Sequence, residues 1–419
     1  MTRRIAALAV ASLLAVLIAA PAPARAQPRN LPPEVAKLYQ EKPVIELVTM
    51  GVGSLIWERH GHIALCVRYD DTREDCYNYG VGDFSHPAAM ALGFLRASGS
   101  FWVEKRPISD MLWIYHHTDR TIWMQPLPLT APQKQQVIAK LEHDILPENR
   151  AYAYDHFWDN CTTRVRDIIN EAVGGKLAAM TEATDQRTFR DLAREGFYGM
   201  TGPLLVTDFA MGRVTDRVPT YYERMFLPQY LREAVATLWN IQPIAIYTRQ
   251  GEPPSQDSSS GRGWLVLAIL LLTSPAWLSR LLGRLPRTGL ALAVLPYVLL
   301  GTALMSVAVI SPLSYLRWNE LCLVLLPFDV LLLVLPAARR RRYARGRLAM
   351  LAVVLLGSLI GVLRQPLLAP LLWPAIPLAI VGFWPERQAR AGKVGTFAAG
   401  ASAGSRTAGA PRARSANRA

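Results

Sequence analysis

Asp159-Asn160-Cys161-Thr162-Thr163-Arg164-Val165-Arg166-Asp167 is the stretch whose reading decides the fold. Asp159 and Asn160 are residue types that cap helices, because their short side chains accept hydrogen bonds from the first free amides. Val165, Ile168, Ile169 and Val173 then repeat at 3.6-residue spacing until Gly174-Gly175 stops the pattern. The spacing predicts a helix with Cys161 in its first turn. There the free amides and the positive end of the helix dipole favour a thiolate, so the expectation is a nucleophile of lowered pKa. Arg164 and Arg166 lie one turn on and suit ion pairs with Asp159 and Asp167.

Upstream, Thr130-Ala131-Pro132-Gln133 has the form of a capping box with proline in the first turn. Val137, Ile138, Leu141 and Ile145 continue it as a helix that ends before Pro147. An extended aromatic run, Tyr152 to Trp158, leads into the Cys161 helix. Nearer the N-terminus, the β-prone run His62 to Tyr69, the turn Asp70-Asp71-Thr72 and the run Glu74 to Tyr79 read as a hairpin. Between Lys176 and Tyr247 little pattern stands out. Strands and helices in this order predict an α+β domain.

Four cysteines sharpen the picture. With the turn centred on Asp71, Cys66 faces Cys76 across the hairpin, where the two form a disulfide or sit as core residues. Cys322 falls in an apolar segment. Cys161 is the odd thiol of the soluble part, either a small buried hydrophobe or a group kept for its chemistry.

A thiol nucleophile needs a base. All seven histidines precede Cys161, and His60-Gly61-His62 opens the first hairpin strand. In the register that pairs Cys66 with Cys76, Asn78 lies opposite Ala64, diagonal to His62 on the same face. It could orient the imidazole through the nitrogen turned away from the thiol. Asp83 competes for that task. The rival reading is a zinc site built from His60, His62, His86, His116 and His117 with Asp83 or Asp155. Neither His-Glu-x-x-His nor Cys-x-x-Cys is present, so no metal and no cofactor is expected.

Composition divides the 419 residues near Gly263. Residues 27–263 hold 25 basic and 29 acidic side chains, while Trp264 to the end holds 18 basic against three acids, Glu320, Asp329 and Glu386. The folded front part has no basic surface for nucleic acid, despite the net charge of +14. Arg3-Arg4, the apolar run Ile5 to Ala20 and the small residues up to Ala26 read as a secretory signal over 1–26, cleaved or retained as an anchor. No cysteine sits at that cleavage point, so the chain is not expected to be a lipoprotein itself.

After the extracytoplasmic domain, 27–248, a linker over 249–263 is followed by apolar segments near Trp264–Leu282, Gly289–Ile310, Leu321–Ala338, Leu348–Leu363 and Leu367–Trp384. They predict about five membrane helices over 264–386, four being the alternative. Arg280, Arg284 and Arg287, then Arg339 to Arg342 with Arg345 and Arg347, and the basic tail 387–419 all fall on the side opposite the N-terminal domain. The charge asymmetry thus puts that domain outside an inner membrane. The tail lacks periodicity and is expected to be disordered. Asn319, Glu320 and Asp329 are polar groups within this region, suited to interface or helix–helix contacts.

A histidine at a strand start, a polar residue on the next strand and Asn-Cys opening a helix together resemble the circularly permuted papain-like (NlpC/P60-like) fold. More closely, His60-Gly61-His62-Ile63-Ala64-Leu65, Tyr77-Asn78-Tyr79-Gly80 with Asp83-Phe84, Pro147-Glu148-Asn149-Arg150, the Cys161 stretch and Met225-Phe226-Leu227-Pro228 resemble the Lnb family of bacterial lipoprotein N-acyltransferases. That resemblance implies Cys161 as nucleophile, His62 as general base, a phospholipid acyl donor and a lipoprotein amine as acceptor. For such a reaction the residues themselves offer Asn160 or the Cys161 amide to the oxyanion, with Asn78, or Asp83 in its place, and Asp159 and Arg164 as candidate supports. Arg317-Trp318-Asn319-Glu320 matches the family's membrane part only loosely. Phe101, Trp102, Trp113, Tyr115 and Trp123 suit an acyl groove, the interface or simply a core. A papain-like hydrolase of envelope peptides and a non-catalytic membrane-anchored scaffold are the other classes this sequence allows.

Overall fold

The computed structural model describes residues 31–384 apart from 84, 99–100, 184, 256, 258–260 and 284–285. The expected signal segment 1–26, the tail 387–419 and Phe84 lie outside the described residues.

Elements follow in the order α1 (Pro33–Leu38), β1 (Val44–Met50), β2 (His62–Arg68), β3 (Glu74–Gly82), α2 (Pro87–Leu95), β4 (Phe101–Pro107), α3 (Ile108–His117), β5 (Ile122–Pro126), α4 (Ala131–Asp144), β6 (Ala151–Tyr152) and α5 (Cys161–Ala172). The region without clear pattern holds α6 (Phe189–Glu195), α7 (Thr201–Ala210), α8 (Pro228–Trp239) and β7 (Ile244–Tyr247). The strands form one antiparallel sheet in the order β6-β4-β3-β2-β1-β5-β7.

The expected hairpin forms in the expected register, with Cys66 opposite Cys76 and the two sulfurs bonded. Strand alternation sorts the side chains onto two faces. Ile63, Leu65, Val67, Tyr77 and Tyr79 pack under α4, α5 and α8 in the main core. Ala64, Cys66 and Cys76 belong to a smaller cluster with Ile108 and Met111 of α3 on the other face. The α4 capping box closes with the Thr130 amide donating to Gln133 Oε1 at 2.9 Å.

Among the described residues, helices α9 (Arg262–Leu282) and α10 (Pro286–Ile310) are the two long enough and apolar enough to cross a bilayer. The remaining expected spans differ. Over 321–338 the chain is broken into the short turns Leu321–Val324, Pro327–Val330 and Leu331–Val334. The breaks fall at Pro327 and Pro336, which lack an amide and force Leu326 and Leu335 into extended backbone. Arg347 then serves the interrupted segment, donating to the Val324 carbonyl at 2.8 Å and to both Asp329 oxygens, while Tyr343 donates to Asp329 Oδ1 at 2.7 Å. The next helix, α11 (Ala337–Leu359), starts ahead of the arginine run and contains it, and α12 (Leu368–Phe383) is a 16-residue apolar helix.

The expected boundary between soluble and membrane parts is also crossed. Leu313, Tyr315 and Leu316, which follow α10, are buried in the main core beneath the sheet. Asn319 Nδ2 donates to the carbonyls of Phe209 and Ala210 at 2.7 and 3.2 Å. Glu320 Oε2 accepts the Arg364 and Gln365 amides at 2.9 and 2.8 Å. These two polar residues therefore fasten the return segment to the end of α7 and to the loop before α12.

Candidate active site

Asn160 is the cap of α5. Its Oδ1 accepts the amides of Thr162 and Thr163 at 2.7 and 2.9 Å, and its Nδ2 donates to the carbonyls of His156 and Phe226 at 2.7 and 2.9 Å. The side chain is fully used in holding the loop before Cys161 onto the helix, which leaves it nothing to offer an oxyanion. The same loop rests on the return segment, with the rings of Phe157 and Trp158 at 5.1 and 6.1 Å from that of Tyr315.

Cys161 heads α5 as the sequence predicts, and the reason for its position is local. The β2–β3 ladder runs from Arg68–Glu74 to Leu65–Tyr77, and β3 bulges between Asn78 and Val81 where it pairs with β4. Gly80, at φ +81°, sits in that bulge. The amide of Ile63 turns to the Cys161 sulfur, alongside the amides of Thr162 and Cys161 itself. The sulfur thus lies in the gap between β2 and β3, beside the peptide that joins His62 to Ile63.

The expected low pKa is not what the site gives. Burial raises the Cys161 thiol, and the hydrogen bonds from Thr162, Ile63 and its own amide offset that only in part. Desolvation of a charge outweighs a helix end when no cation touches the sulfur. Arg164 does not supply one, because Asp159 holds its guanidinium in a two-pronged ion pair at 2.6 and 2.9 Å, over the ring of Tyr152.

His62 is half-buried and its Nε2 lies 3.3 Å from Asn78 Oδ1. Asn78 Nδ2 faces the Cys76 carbonyl at 3.4 Å, which fixes the oxygen towards the imidazole. With an acceptor at Nε2, that nitrogen carries the proton and Nδ1 keeps a free lone pair. Burial, with Arg120 adding to it, brings the His62 pKa down to about 4, so the ring is neutral near pH 7. Tyr115 of α3 stacks on it at 6.2 Å, and Tyr115 and Arg120 lie near enough to Cys161 for ionisation of one to be felt by the others. The structure therefore brings Cys161, His62 and Asn78 into one neighbourhood. Asp83 is not part of it: the exposed carboxylate accepts from the amide and hydroxyl of Ser85.

His60 is a different group. Its Nε2 lies 2.9 Å from the Ala193 carbonyl and its ring packs edge-on against His156 at 4.7 Å, both imidazoles being driven down by burial. His116 and His117 sit at the end of α3 and His86 precedes α2, so the five histidines of the zinc reading are scattered. No cluster of three metal-ligating side chains occurs among the described residues.

Three neutral buried histidines have a consequence for stability. Their unfolded pKa is near 6.5 and their folded values lie lower, so the unfolded chain binds more protons as pH falls through this window. Stability from these groups is complete above about pH 6.5 and is lost towards about pH 4, the value His62 reaches. We expect the thermal midpoint to fall between pH 6.5 and pH 5, above the range where most carboxylates titrate. A flat midpoint across that interval would contradict the burial of these rings.

Sequence reasoning missed Tyr152 and Tyr154, which lie near Cys161 and are kept protonated first by burial and then by that neighbour. Their signal was an aromatic pair in extended chain less than ten residues before a capped cysteine. It also missed Tyr315, for which no local pattern exists.

Residues 36–195 match the family model for the Lnb N-terminal periplasmic domain. The matched segment carries β1 to α6 and with them Cys161, His62 and Asn78. Together with the two bilayer-capable helices, this defines a membrane protein with a periplasmic N-terminal domain. No curated protein and no solved structure matches the chain.

Proposed function

We propose that this chain is a membrane-bound thiol acyltransferase, of permuted papain-like architecture and anchored by several spans, that carries an acyl chain from a phospholipid to the N-terminal amine of a lipoprotein. The observation that carries the reading is the Cys161 sulfur held by the amide of Ile63, the residue next to a His62 whose Nε2 lies 3.3 Å from Asn78 Oδ1, on a domain tethered to apolar helices.

In the first half-reaction, His62 Nδ1 takes the thiol proton and the sulfur adds to the ester carbonyl carbon. The carbon–oxygen bond then breaks, the proton passes from His62 to the leaving glycerol oxygen, and a thioester and a lysophospholipid result. In the second half, the α-amine of a diacylglyceryl-cysteine adds to the thioester, His62 removes its proton, the carbon–sulfur bond breaks as the amide forms, and the sulfur takes that proton back from His62. Asn78 holds the imidazole in the tautomer both steps need. The raised thiol pKa and lowered imidazole pKa describe a resting pair in which both partners are neutral, so ionisation accompanies attack rather than preceding it. Tethering suits the chemistry, because donor and acceptor both reside in a bilayer. The aromatic side of the site, Phe101, Tyr152 and Tyr154, offers apolar surface beside the sulfur.

The reading is tested with the full chain in vesicles of phospholipid labelled in its acyl chains, given a synthetic diacylglyceryl-cysteinyl peptide. Label is expected in the peptide amide, with one lysophospholipid per transfer. Release of labelled free fatty acid alone, with the peptide unchanged, overturns it in favour of a hydrolase.

A further inference from the structure

Gly80 leaves a space beside the nucleophile. A methyl group placed on it would lie 3.5 Å from the Tyr152 hydroxyl, 3.5 Å from the Tyr154 ring and 3.6 Å from Cys161 Cβ. The tyrosine oxygen and the carbon bearing the sulfur are therefore both within reach of a single point that the chain leaves unfilled. At φ +81° the position favours glycine on backbone grounds as well.

Tyr152 is 7% exposed, and its hydroxyl finds no hydrogen-bond partner among the described residues. Burial strips a polar group of water, so one left without a partner is costly, and such groups recur where a ligand or a reacting atom completes them. Its surroundings favour donation over acceptance. Burial keeps the phenol protonated, and the Arg164 guanidinium lies over its ring, 3.7 Å from the centroid, drawing electron density from the oxygen. Asp159 holds that guanidinium in place, giving the Asp159–Arg164 pair a role besides the surface ion pair expected of it.

Asn160, the side chain expected to face the oxyanion, is spent on the cap. An acyl transfer still needs donors aimed at the oxygen that becomes negative in the tetrahedral intermediate. We propose that the Tyr152 hydroxyl is an oxyanion donor of this site, acting with the Cys161 amide on a carbonyl that occupies the space left by Gly80. When the sulfur adds to the carbonyl carbon, the π pair moves to oxygen and the phenol O–H donates to it. When the intermediate collapses, the pair returns and the leaving oxygen takes its proton from His62, so Tyr152 gains and loses no proton overall. This assignment rests on Cys161 acting as an acyl acceptor.

Tyr152→Phe removes one oxygen and retains the ring under Arg164. In the full-length protein, acylation is read from the burst of p-nitrophenolate released by p-nitrophenyl butyrate. Thiol reactivity is read separately from alkylation by iodoacetamide, which displaces iodide at a saturated carbon and generates no oxyanion. The burst rate is expected to fall about 10²–10³-fold, the usual loss for one such donor, with alkylation within about twofold of wild type. The thermal midpoint is expected to stay level or rise, because an unpaired buried hydroxyl is gone. A burst rate within about threefold of wild type overturns the assignment. So does a parallel loss in burst and alkylation, which would make Tyr152 a support for the thiol instead. If wild type is acylated by the activated ester but not by phospholipid, the lipid-transfer reading fails while the role of Tyr152 as oxyanion donor is still decided by the burst.

Discussion

Cys161→Ser is expected to lower acyl transfer at least about 10⁴-fold, since loss of the nucleophile in comparable triads removes nearly all the catalysis the group supports. Serine keeps the size and the position at the head of α5, so the capping by Asn160 and the packing of Val165, Ile168 and Ile169 persist. Folding, export and membrane insertion should therefore match wild type, which separates lost chemistry from lost structure. The substitution also tests the electrostatics. A serine hydroxyl is far harder to ionise than a thiol, and the amides the site offers its occupant only partly offset the cost of burial. His62→Ala should give a smaller loss that the thiol's own nucleophilicity partly offsets. Transfer by Cys161→Ser within tenfold of wild type would remove Cys161 from the mechanism.

The second large effect concerns the domain boundary. A chain ending at Gly263 keeps the whole sheet and every side chain assigned to the site, and composition alone makes it the natural soluble fragment. It nevertheless lacks Leu313, Tyr315 and Leu316, which lie in the main core with 6, 3 and 5% of their surface exposed. Burying three side chains of this size contributes about 5–9 kcal/mol, against about 5–15 kcal/mol for the net stability of a typical domain. The fragment also loses the bonds from the Gly212 and Arg213 amides to the carbonyls of Tyr315 and Trp318, at 2.5 and 2.9 Å. We expect it to melt at least about 10 °C below the full chain or to show no cooperative transition. Adding a peptide of residues 311–320 should recover part of the loss. A fragment as stable as the full chain would show that the return segment decorates the core without building it.

What could be read in the sequence was whatever local chemistry fixes. The α5 cap, the α4 capping box and the Cys66–Cys76 register each depend on residues close together in the chain, and all three form as expected. Asn78 beside His62 followed from strand alternation once the cysteine pairing set the register. What escaped depends on contacts between distant residues. The thiol's raised pKa reflects how tightly β2, β3 and α5 close around the sulfur, which no motif states. Asn160 was legible as a cap, but its second task, holding His156 and Phe226, requires a chain 66 residues away. The apolar run over 321–338 satisfied a length rule while its two prolines argued for interruption, and the buried Asp329–Arg347 pair now occupies the break. Tyr315 was hidden because a segment flanked by apolar helices reads as a membrane loop, whereas its aromatic ring supports the loop before Cys161.

The most direct measurement is the intact mass of the purified full-length protein after incubation with phospholipid vesicles and without an acceptor amine. The two-step account predicts a gain of one fatty acyl group on Cys161, removed by hydroxylamine and discharged when a diacylglyceryl-cysteinyl peptide is added. An unchanged mass, under conditions where the complete mixture transfers acyl chains, would contradict a covalent intermediate and leave the buried sulfur without its assigned role.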